Sequence, residues 1–199
     1  MKKAIITAMI AMMTTGVWAA NLVQGTQEVS LSGMVDFDTL NKTYFDINGG
    51  YGYFLFDGFE VGVKGGYEYD DAHRLWSFRF ATEYNFDLTE LGLIPELVPY
   101  VGLSLGVGGA SYDMTITEYS TYINPITQEQ TDTPVSVNFE GRDTGVVLGS
   151  EVGMKLFVTE DFALSLAFLL DMSSGDIYPS DDGLKKIDPK IQLGMRYYF

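Results

Sequence analysis

The chain contains no cysteine, so neither a disulfide framework nor a thiolate metal centre is available to it. Proline is scarce, with six residues. After the N-terminal leader-like segment no run reaches the roughly 18 consecutive apolar residues that a membrane-crossing helix requires, which excludes a helical membrane protein. Cations are also few: 12 Lys and Arg stand against 27 Asp and Glu, a net charge of −15. A balance that acidic argues against phosphate-rich partners such as nucleic acid. There is one histidine, which leaves little material for general-base chemistry.

Glycine (22 residues) and aromatics (14%) are plentiful, a composition suited to an all-β chain with bulky outer faces and tight interior packing. The N-terminus reads as an export signal. Lys2 and Lys3 precede a run from Ala4 to Met13 that only Thr7 interrupts, and Val17-Trp18-Ala19-Ala20 offers a small-residue cleavage site after Ala19 or Ala20. Removing residues 1–20 takes away two lysines and no acid, carrying the net charge to −17. Residues 21–199 then form one domain.

Beyond residue 26 the dominant signal is a period of two, which marks strands with different environments on their two faces. Eight such segments are predicted, over 27–38, 42–56, 59–69, 76–86, 98–112, 144–158, 162–172 and 187–199. In the third, Phe59, Val61, Val63, Tyr67 and Tyr69 alternate with Glu60, Gly62, Lys64, Gly66 and Glu68. In the fifth, Val101, Leu103, Leu105 and Val107 alternate with Gly102, Ser104, Gly106 and Gly108. The apolar face is the bulky one and the polar face is small. Small residues fit the inside of a narrow barrel and large ones fit lipid. Such a sheet must close, because lipid cannot satisfy an open edge.

The expected fold is therefore all-β: a closed antiparallel up-and-down transmembrane β-barrel of eight strands. Short connections after the second, fourth and sixth strands face the periplasm, and longer loops over 113–143 and 173–186 face outward. Met114 to Tyr122 and Val135 to Phe139 could carry additional strand, which makes ten strands the alternative.

The C-terminal run Gly194-Met195-Arg196-Tyr197-Tyr198-Phe199 resembles the terminal strand by which the barrel assembly machinery recognises outer-membrane proteins, with Tyr197 and Phe199 as its signal residues. Pro99-Tyr100-Val101-Gly102-Leu103-Ser104-Leu105-Gly106 is similar to the Pro-Tyr-x-Gly-x-x-x-Gly strand of the outer membrane β-barrel domain family, which includes the OmpX/Ail type and the barrel of OmpA. The resemblance covers the chain as architecture and implies an integral outer-membrane location with outer-membrane lipid as a partner. No OmpA-like peptidoglycan-binding domain is expected after the last strand.

Catalysis has one candidate. His73 stands in Asp70-Asp71-Ala72-His73-Arg74 with Ser77 nearby, and lipid-modifying barrels use a His with a Ser and an acid. No His-x-Ser motif like that of the deacylase barrels is present, and His73 is expected in a short, solvated external loop. The acids Asp70, Asp71, Asp132, Asp181 and Asp182 lack the spacing of a dedicated cation loop, so neither a metal nor a cofactor is expected.

The most informative set is inward charge: Glu60, Lys64, Glu68, Arg79, Glu83, Glu151, Lys155, Lys190 and Arg196 all fall on the non-lipid face. Facing lipid, each Lys or Arg would cost about 2–4 kcal/mol at mid-bilayer. Inside they can pair and fill the lumen, or line a narrow pore. Tyr44, Tyr67, Tyr69, Trp76, Tyr84, Phe86, Tyr197 and Phe199 lie near strand ends, where outward-facing rings form interfacial girdles. Tyr112, Tyr119 and Tyr122 are candidates for loop contacts with a host or cell-surface ligand. The expected function is that of a non-enzymatic envelope or surface-interaction protein acting through external loops; the alternative is a narrow channel for ions or small solutes.

Overall fold

A computed structural model describes residues 22–37, 43–69, 73–87, 94–123, 130–180 and 183–199. The expected signal segment lies outside them. The strands are β1 (Gln27–Phe37), β2 (Thr43–Phe56), β3 (Phe59–Tyr69), β4 (His73–Asn85), β5 (Leu97–Ile123), β6 (Gln130–Thr159), β7 (Phe162–Ser173), β8 (Tyr178–Ser180), β9 (Gly183–Lys185) and β10 (Ile187–Tyr198).

Eight of them close a barrel in the order β1-β10-β7-β6-β5-β4-β3-β2, every pair antiparallel. Closure is made by β1 against β10, from Glu28 opposite Tyr198 to Gly33 opposite Leu193. The ten-strand alternative is overturned. The extra strand propensity lengthens β5 and β6 instead, and β8 and β9 form a separate two-stranded sheet.

Alternation explains the closure. Along β4 the burial alternates without a break from His73 to Asn85, with Trp76, Phe78, Phe80 and Tyr84 outward and Ser77, Arg79, Ala81 and Glu83 inward. The outward apolar band recurs on every barrel strand, for instance Leu103, Leu105, Val152, Phe168, Ile191 and Leu193. From Trp76 to Phe86 it spans roughly 25 Å along the barrel axis, given about 3.4 Å per residue and a tilt near 40°. Such a band is incompatible with water and matches a bilayer. Among the described residues no helix is long and apolar enough to cross a membrane; the crossing is made by strands.

The segment expected as a loop over 113–143 is mostly strand: β5 and β6 stay paired from Leu97 opposite Leu156 up to Ile123 opposite Gln130. β4 pairs with β5 only as far as Tyr112, and β7 pairs with β6 only as far as Val147. The two strands therefore continue past the barrel rim as a free-standing hairpin. The other end is trimmed short. Asp57-Gly58 turns β2 into β3 with Gly58 at φ +75°, a left-handed backbone that glycine adopts without steric cost.

Candidate functional site

The lumen is filled in layers, starting at the short-turn end. Leu22, Phe54, Val98, Phe157, Ala163 and Tyr198 form an apolar lid there, with the Phe157 and Tyr198 rings tilted against each other, 5.2 Å between centroids. Leu22 is held by its carbonyl, which accepts a hydrogen bond from Gly58 N–H at 2.8 Å.

Above the lid sits the first ionic layer. Lys155 is fully buried and pairs with Glu28 at 3.2 Å and with Glu83. Arg196 reaches Glu28 at 2.9 Å, Glu83 at 2.8 Å and Glu151 at 3.3 Å. Lys64 pairs with Glu151 at 2.6 Å, and Tyr100 O–H donates to the same carboxylate at 2.5 Å. Lys155 also faces the Tyr100 and Tyr198 rings at 5.1 and 5.5 Å, and Arg196 lies 4.5 Å from the Tyr100 ring centroid. The register accounts for this convergence: Glu60 stands opposite Glu83, and Gly102 opposite both Glu83 and Glu151, so glycine leaves the room the long charged side chains occupy.

Level with this layer, Tyr100, Ala167 and Leu169 make a small apolar cluster. A second ionic layer follows, with Arg79 on Asp171 at 2.7 Å and Lys190 near Glu68 (3.6 Å), Asp46 (3.8 Å) and Asp188 (3.5 Å). The upper lid is Leu75, Ala110, Val147, Ile177 and Tyr178, with Leu184 packed against it. Ile177 and Tyr178 belong to the connection after β7, which folds back into the mouth. Asp143 fastens it by accepting the Asp176 N–H at 2.9 Å. Burial, and then the Asp171 carboxylate, push the Tyr178 phenol above its ordinary range, so it stays neutral.

Among the described residues the lumen includes a central cavity of about 40 Å³ and two of about 10 Å³, one in each ionic layer. One water needs roughly 10–15 Å³ on the same measure. On that measure the central void has room for a few waters and each of the smaller two for about one.

All nine charges expected inside lie on the lumen side, and eight of them enter these ion pairs. Glu60 is the exception: its Oε2 is buried without a hydrogen-bond partner among the described residues. Glu28, Asp46, Asp171, Asp188 and Tyr100 belong to the network as well and were not among the expected residues. Their strand parity was the available signal, since Glu28 alternates with Val29 and Leu31.

Carboxylate oxygens of Glu28, Glu60 and Glu83 lie within 4.8 Å of one another, a donor set of the type that suits a hard cation. Lys155 and Arg196 already occupy the cationic positions against two of the three.

His73 differs from expectation. It opens β4 with its side chain buried on the lumen side, because the strand begins three residues earlier than the aromatic alternation indicated. Its neighbours Asp70 and Asp71 lie outside the described residues, as do Asp181 and Asp182 and the side chains of Tyr44, Asp132, Tyr119 and Tyr122. In register, Tyr119 stands opposite Pro134 and Tyr122 opposite Thr131. Tyr112 is half-buried, with its ring lying over Gly141. Tyr197 and Phe199 face outward at the short-turn end, their rings stacked 6.1 Å apart.

No family model matches the chain, and no curated protein matches it. Among solved structures it is similar to Neisserial surface protein A, at 16% identity and a TM-score of 0.53 over 87% of this chain and 96% of that one. It is also similar to the N-terminal β-barrel domain of Pseudomonas aeruginosa OprF (22%, 0.48, 88% and 98%) and to Ail, the attachment invasion locus protein of Yersinia pestis (12%, 0.45, 89% and 100%). At these identities the likeness concerns fold, and the first of the three carries it. With its apolar band outward, its charge inward and its eight strands closed, the chain has the fold of a small outer-membrane β-barrel protein.

Proposed function

We propose that this chain is a non-enzymatic outer-membrane anchor, exported by its N-terminal segment, that presents the β5–β6 hairpin at the cell surface for contact with a host or neighbouring-cell ligand. One observation carries the reading: the lumen is filled from lid to lid while β5 and β6 rise together beyond the rim. A barrel without a path through it has its accessible chemistry outside, and loops on a rigid scaffold are where recognition resides. The hairpin is acidic and Thr-rich and includes Tyr112, Tyr119 and Tyr122, so its partner is expected to be cationic or rich in hydroxyls rather than anionic. Resemblance to the OmpX/Ail type supports the same reading.

The test replaces residues 116–137 by a short turn and compares adhesion of cells carrying either form to matrix-coated and cell-coated surfaces. Loss of binding, with the shortened barrel still folded in the membrane, is the expected result. Unchanged binding by a folded, shortened barrel contradicts it.

A further inference from the structure

On the outer faces of the barrel strands, the described residues include two cations, Arg74 on β4 and Arg142 on β6. They share one row. Tyr69 pairs with Arg74, Arg74 with Ser111, and Ser111 with Arg142. Both arginines are exposed, and neither has an ion-pair partner among the described residues. The Arg74 guanidinium lies 5.9 Å from the Tyr69 ring centroid.

The next outward row toward the bilayer is Tyr67, Trp76, Gly109 and Thr144. There the Trp76 indole spreads over Gly109 toward Thr144: a Cβ on Gly109 would meet Trp76 Nε1 at 2.9 Å and Thr144 Cγ2 at 3.1 Å. Below this shelf the wall is Phe78, Val107 and Val146, all exposed. In the next row away from the bilayer stand Asp113 and Glu140, opposite each other and exposed.

We propose that Arg74 and Arg142 bind the phosphate of an anionic lipid in the leaflet at the loop end of the barrel. The strands carrying them are two positions apart, roughly 10 Å at about 4.8 Å per strand, so two long guanidinium side chains can close on one headgroup from either side. The Ser111 hydroxyl lies between them. Trp76 supplies the interfacial ring on which the glycerol or sugar backbone rests, and acyl chains run down Phe78, Val107 and Val146. Asp113 and Glu140 repel a phosphate from above and fix its height. In a chain of net charge −15, two arginines in one row at the belt edge, without an ion-pair partner among the described residues, are an arrangement for anions that the rest of the surface repels.

The proposal rests on the belt lying in a bilayer. It is tested on the full chain inserted in phosphatidylcholine nanodiscs carrying a minor fraction of diphosphorylated lipid A, or the same lipid with its phosphates removed. Native mass spectrometry then counts the lipid retained after the disc is stripped. Folding of every variant is checked by the mobility difference between unheated and boiled samples. The expected result is retention of the phosphorylated form, reduced roughly 25-fold in the Arg74→Ala/Arg142→Ala variant at about fivefold per arginine, and largely kept in Arg74→Lys/Arg142→Lys and in Lys185→Ala/Lys186→Ala. Equal retention by parent and alanine variant overturns it. So does equal retention of the dephosphorylated lipid, or release by millimolar sodium phosphate, which would make free phosphate the ligand. Failure of the parent to enter the disc would instead overturn the membrane reading on which the site depends.

Discussion

At the scale of single residues, the lumen turns on how unequal its charges are. Lys155 has no solvent and two carboxylates. Lys155→Met would strand Glu28 and Glu83 opposite Arg196 alone, and breaking a buried pair costs about 3–5 kcal/mol. The urea midpoint of the folded barrel in detergent should fall accordingly. Glu60 is the counterexample: it faces Glu83 across the β3–β4 ladder and has a buried oxygen without a hydrogen-bond partner among the described residues. Glu60→Gln relieves like-charge repulsion and is expected to leave that midpoint unchanged or raise it, whereas Glu83→Gln lowers it. Equal losses at 60 and 83 would show that the network is not organised around Lys155 and Arg196. Parity alone placed the nine charged residues inside, but it could not say which would pair. Pairing depends on registers between strands as distant in sequence as β1 and β6, and on glycines such as Gly52, over which the Glu60 side chain lies.

At the scale of elements, the barrel strands were legible because each alternates between lipid and lumen, two environments that demand opposite chemistry. The long hairpin was not. Past Ser111 both faces of β5 leave the bilayer, and the apolar parity passes from Val101, Leu103, Leu105 and Val107 to Met114, Ile116 and Tyr122. A change of parity reads as a loop or as a new strand, so the sequence alone indicates a loop, with added strands as the alternative. His73 was misplaced for a related reason: the outward member of the next pair is Arg74 rather than an aromatic, which hid the continuation of β4. The tight end makes a sharper prediction. Gly58 combines a positive φ with the Asn85 carbonyl 2.8 Å from where a Cβ would stand. Gly58→Ala should lower stability by about 1–2 kcal/mol, read as a shift in thermal unfolding of the detergent-solubilised barrel. A smaller shift than Gly49→Ala, whose added Cβ meets only the Ser30 carbonyl at 3.9 Å, would contradict the role given to that turn.

At the scale of the whole molecule, the arrangement is a polar core inside an apolar shell, with a buried apolar cluster of the described residues at each mouth. The upper lid is carried in part by the connection after β7. That connection carries Ile177 and Tyr178 and is tied to the wall by hydrogen bonds from Asp176 N–H to Asp143 and from Val146 N–H to Ser174. Replacing Ile177 and Tyr178 by serine should loosen the cap without opening a path, because two ionic layers and the lower lid remain beneath it. The central claim is the closure of the lumen, and conductance across a planar lipid bilayer tests it most directly. The refolded parent should give no discrete current steps, while Glu83→Ala/Glu151→Ala, which dismantles the lower ionic layer, should give intermittent ones. Reproducible steps in the parent would contradict a closed barrel and make passage of ions or small solutes its function.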